Sequence, residues 1–107
     1  MMPRYLIEGS YTHDGTKGLL QEGGTSRRDT VTKMIEGMGG SVESFYYMFG
    51  DRDVIVIVSV PDESTALALS MAVNQSGKVR LTTHQLLSVE DVDRAAKKTV
   101  SYRSPGA

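Results

Sequence analysis

Cysteine is absent from the 107 residues, which excludes disulfides, thiolate metal sites and cysteine nucleophiles and suits a reducing compartment. A surplus of either charge is absent as well. Twelve basic residues face thirteen acidic ones, a net charge of −1 with both histidines neutral, so no global field draws nucleic acid or an anionic membrane surface. No apolar run is long enough to span a bilayer, and residues 1–5 lack the apolar core of a signal peptide, so the expected location is the cytoplasm. There is no Walker spacing with its lysine and no serine in a nucleophile-elbow sequence, and the paired carboxylates all fall in turns or caps. The length fits a single domain over residues 1–107, near the size at which one chain struggles to bury enough apolar surface, so help from a partner subunit is expected.

What is present is organised around a hairpin. Phe45, Tyr46, Tyr47 and Phe49 make an aromatic strand, Gly50-Asp51-Arg52-Asp53 a polar turn, and residues 54–58 a second strand with nothing polar in it. Successive strand side chains point to opposite faces, so Val54, Val56 and Val58 on one side and Ile55 and Ile57 on the other both require cover. One layer of helices covers only one face.

The rest of the chain supplies that layer. Residues 5–12 alternate as a first strand, His13-Asp14-Gly15 reads as a turn, and residues 16–21 as a short helical turn interrupted at Gly23-Gly24. Ser26-Arg27-Arg28-Asp29 has capping-box spacing and predicts a helix from Arg27, with Val31, Met34, Ile35 and Met38 as its buried stripe and Gly39-Gly40 as its stop. Asp62 is the expected N-cap of a helix to Gln75, residues 79–87 a last strand, and Ser88-Val89-Glu90-Asp91 the start of a short helix before an irregular tail over 99–107. The order is β-α-β-β-α-β plus a terminal helix. This is the ferredoxin-like α+β arrangement, a four-stranded antiparallel sheet backed by two helices, and right-handed crossovers give the strand order 4-1-3-2.

Lys17-Gly18-Leu19-Leu20, Gly23-Gly24, Arg27-Arg28, the Gly50-Asp51-Arg52-Asp53 turn, Pro61-Asp62 and Ala95-Ala96-Lys97-Lys98 together resemble the GYD-domain family over nearly the whole chain. Gly50 and Asp53 stand for the ends of the turn that names the family, with Asp51-Arg52 between them. The resemblance implies a relationship to dimeric α+β barrels, in which small domains pair sheet to sheet and some hold small ligands or run cofactor-free oxygen chemistry.

The candidate functional residues each have a plainer alternative. His84 falls on the strand parity facing away from the helices, where it is either an acid or base in a cavity between two sheets or a hydrogen-bonding residue of the wall. His13 beside Asp14 lacks the further ligands of a metal site, and no metal or cofactor is expected. Gly23, Gly24, Arg27 and Arg28 gather donors near a helix start and are either an anion site or a kink with two surface cations. Gly50 and Asp53 serve the turn or the mouth of a barrel, and Tyr46, Tyr47 and Phe49 are ligand-stacking, core or interface residues.

Three classes of function compete. RNA-recognition domains share this topology, but they need basic and solvent-facing aromatic residues on their central strands, and residues 53–60 offer neither. The two left are a small-ligand-binding or structural oligomer and a cofactor-independent, oxygenase- or isomerase-like enzyme with His84 in a barrel cavity. Both rest on assembly as a homo-oligomer of sheet-to-sheet dimers, because an apolar open face is a liability in a monomer and the charged terminal helix has little to cover it. The tail after that helix is expected to reach along a neighbouring subunit.

Overall fold

The computed structural model describes residues 2–107. Strands β1 (Arg4–Tyr11), β2 (Ser41–Tyr47), β3 (Val54–Ser59) and β4 (Val79–Leu86) form one antiparallel sheet in the order β2-β3-β1-β4, which is the expected 4-1-3-2 read from the other edge. Helices α1 (His13–Glu22) and α2 (Gly24–Gly37) fill the first crossover and α3 (Glu63–Gln75) the second, while α4 (Val89–Ala96) follows the sheet.

Burial follows the pleat of β3. Val54, Val56 and Val58 are buried against the helices together with Tyr5, Ile7, Ile35, Ala66 and Leu69, whereas Ile55 and Ile57 are half-buried on the open side. Cross-strand partners share a face. Leu6 and Glu8 of β1, Ser44 and Tyr46 of β2, and Thr82, His84 and Leu86 of β4 therefore lie on the open side with the two isoleucines. The β2–β3 register slips between Val42 and Ser44, a bulge that places Val42, Phe45 and Tyr47 on the helix side despite their mixed parity. Glu43, the extra residue, pairs with Arg4 at 2.8 Å.

The first crossover departs from the sequence reading. His13-Asp14-Gly15 is no turn but the opening of α1, because the Thr12 hydroxyl accepts the Gly15 N–H and caps the helix. A glycine at position 15 argues against helix on propensity alone. It is required here by packing, since a Cβ would sit 1.9 Å from the Lys78 carbonyl oxygen where α1 crosses the start of β4. The second helix likewise begins at Gly24 and not at Arg27. Gly23, at φ 89°, ends one helix and starts the next, as the interruption at Gly23-Gly24 required. Ser26 is already inside α2 and its hydroxyl donates to Glu22 Oε1 at 3.2 Å, so the capping-box pattern is coincidental there. At Ser88 the same pattern forms a true box with Asp91, and Asp62 caps α3 through the Thr65 N–H.

The chain is elongated. Its radius of gyration is 17.1 Å, against about 13 Å for a compact domain of this length. The excess lies in the C-terminal segment: α4 buries no residue, and Leu87, Val89, Val92, Val100 and Tyr102 are exposed. Gly15→Ala is expected to cost about 1–3 kcal/mol, the usual range for overpacking, read as a lowered urea midpoint. Gly18→Ala, whose Cβ would meet nothing within 4 Å, is the control that keeps or raises it.

Candidate functional site

Between the inner face of the sheet and the helices lies a cavity of about 50 Å³, walled by apolar side chains that include Ile7, Val31, Phe45, Val56, Leu69, Val73 and Leu81. Tyr11 and Arg27 also line it. The same two residues, with Val79, line an adjoining cleft of about 270 Å³ whose other walls include Leu19 and the charged Asp14, Glu22 and Lys78. An apolar inner chamber and an outer cleft with charged residues on its walls thus share a phenol and a guanidinium.

Each residue at that junction is held by the fold. Tyr11 ends β1, and its backbone N–H donates to Asp53 Oδ2 at 2.8 Å, while the Asp53 N–H donates to the Gly9 carbonyl at 2.8 Å. Asp53 of the hairpin turn therefore clamps the end of β1 from two sides and sets where Tyr11 stands. Tyr47 ends β2, stacks edge-on against Phe45 with centroids 5.4 Å apart, and donates its hydroxyl to the Gly24 carbonyl at 3.0 Å. Gly24 leaves room for that ring, a Cβ there lying 3.1 Å from it. Arg27, on the first turns of α2, reaches the same point.

Burial raises the Tyr11 phenol above its ordinary 10.0; Tyr47 adds to the rise, and the Arg27 guanidinium opposes it. Tyr47 is raised by burial too, with a hydrogen bond from Tyr11 and the Arg27 charge working against it. Both phenols are protonated at neutral pH, the Tyr47 proton going to the Gly24 carbonyl, and they stand next to the permanent cation of Arg27. Such a group suits an anionic oxygen. Among the described residues no three His, Asp or Glu side chains are grouped to hold a metal ion.

The residues singled out from sequence are dispersed. Of the four gathered at the helix start, Gly23 spends its N–H on the Leu19 carbonyl at 2.7 Å and Arg28 pairs with Asp29 at 3.2 Å, leaving Arg27 as the one that lines the cavity. His84 lies on the opposite side of the sheet, as its parity required, with Nε2 3.0 Å from Glu8 Oε1. His13 is exposed at the start of α1, Phe49 fully exposed beside Gly50, and Tyr46 exposed on the open face. Tyr11 was not singled out by sequence reasoning. The available signal was its place at the end of the Tyr5, Ile7, Gly9 parity row, where the core gives way to solvent and a ring with a polar tip fits.

A ferredoxin-like α+β domain with a broken first crossover helix and a small apolar recess between sheet and helices is the class these features define. The chain belongs to the GYD domain family, whose model matches residues 5–96. No curated protein matches it.

The raised phenols carry a pH signature. Above pH 10.0 the unfolded chain releases its tyrosine protons first while the folded protein retains those of Tyr11 and Tyr47, so the folded state binds more protons and stability falls as pH rises. Their contribution is complete below the unfolded pKa and lost through the folded one. Urea unfolding across the alkaline range is expected to show this decline. The double variant Tyr11→Phe/Tyr47→Phe is expected to flatten it, and an unchanged slope would mean the phenols are not burdened by burial.

Proposed function

We propose that the protein is a small-ligand-binding module of the cytoplasm that works as a homodimer paired sheet to sheet. The observation that carries the ligand half is the apolar chamber with Tyr11 and Arg27 on its wall, the usual make-up of a small-molecule site: apolar walls with a few convergent polar groups. The location is supported by the absence of cysteine and by the lack, among the described residues, of a helix long and apolar enough to cross a membrane.

The dimer half is supported by the open face. Leu6, Ile55, Ile57 and Leu86 form its half-buried apolar centre, with Arg4–Glu43 and Glu8–His84 pairs around it. A two-fold contact brings one such centre onto another. The chain's own C-terminal segment does not take this role, since the apolar Val89 and Val92 of α4 stand exposed. That segment instead supplies a second apolar surface for the partner copy.

A second reading draws on Glu8 and His84. With 49% of the His84 side chain and 27% of the Glu8 side chain exposed in the single chain, the pair would be enclosed between two sheets in the dimer, where a histidine oriented by a carboxylate can move a proton. This is the cofactor-independent, isomerase-like alternative.

Native mass spectrometry of gently purified protein tests the first reading in both halves. A dimer carrying a small molecule is expected. Ile57→Asp is expected to give folded monomer that still carries it, because the chamber lies on the other face of the sheet. Wild-type monomer at micromolar concentration would overturn the dimer, and retention of the molecule by Val73→Phe, which fills the chamber, would overturn the site.

A further inference from the structure

We infer that the ligand of the inner chamber is a short-chain monocarboxylate, its branched alkyl end among the apolar side chains and its carboxylate on Arg27. The inference rests on the reading of the cavity as a ligand site and narrows it to one chemical class.

Size sets the apolar part. About 50 Å³ compares with the roughly 10–15 Å³ that a cavity needs to hold one water molecule. An alkyl end of a few carbons fits, and an aromatic ring would have to remain in the outer cleft. Charge sets the polar part. Arg27 is the one charged side chain lining the inner chamber, and it is partly buried. Among the described residues it forms no ion pair, as is also true of Arg52, Arg80 and Arg103, but it is the one of these that lines the inner chamber. A guanidinium taken partly out of water without an anion is costly, and its planar fork matches a carboxylate in two parallel hydrogen bonds.

The outer cleft explains why one negative charge is preferred to several. Asp14 and Glu22 line it with Lys78, and Glu22 accepts the Ser26 hydroxyl. A phosphate or a dicarboxylate reaching beyond Arg27 meets two carboxylates against one lysine. A monocarboxylate stops short of them, with its charge at the junction and its tail inside.

The probes are 3-methylbutanoate, the isosteric neutral 3-methylbutanamide, and inorganic phosphate, each titrated into the full-length protein and followed by NMR at the methyl groups of Val31, Val73 and Leu81. The acid is expected to shift all three residues, with the amide weaker by about tenfold or more, the worth of a hydrogen bond to a charged group. Phosphate is expected to leave the methyls unmoved. Arg27→Gln, at a partly exposed position, is expected to bring the acid down to the affinity of the amide. An amide that binds as tightly as the acid would overturn the carboxylate assignment while leaving the ligand site standing. Methyls unmoved by acid and amide alike would overturn both.

Discussion

The constraint on which the structure depends is that β3 is apolar on both sides of a sheet that has helices on only one. Three valines, Val54, Val56 and Val58, are buried under α2 and α3, and full burial of each stabilises by about 1.5–3 kcal/mol. Ile55 and Ile57 have no such cover within the chain. The fold therefore completes one core on the helix side and leaves a half-buried apolar centre on the other.

The two faces of the sheet have divided the chemistry between them. On the helix side, Tyr11 and Arg27 line an apolar chamber with Tyr47 next to them; on the open side, Glu8 and His84 meet among aliphatic side chains. A sheet about one residue thick separates the groups, and the pleat alone decides which group belongs to which side. Ile57 and Val73 accordingly lie on opposite sides of the sheet.

The hairpin turn has a role beyond reversing the chain. Gly50 lets the backbone turn, and Asp53 then receives the Tyr11 N–H and donates its own to Gly9, so the turn between β2 and β3 locks the far end of β1. The break at Gly23 has a matching effect on the helices. It swings α2 so that Gly24 presents its carbonyl to Tyr47 and Arg27 reaches the chamber. A turn and a helix break distant in sequence thus shape one junction.

The sequence by itself determined the strand order, the hairpin, the caps at Asp62 and Ser88, and the two-sided demand of β3, because each follows from local backbone preference or from the period of apolar residues. It also placed His84 on the open face by parity, though not its partner Glu8, since cross-strand neighbours depend on register. The tertiary structure decided the remainder. Gly15 opens a helix because the Lys78 carbonyl passes where a Cβ would stand, Ser26 fails to cap because Gly23 already turns the chain, and a bulge at Glu43 turns Val42, Phe45 and Tyr47 to one side. The junction of Tyr11, Tyr47 and Arg27 was illegible for the same reason: its members lie on two strands and a helix, and only packing at long range brings a phenol, a second phenol and a guanidinium to one point.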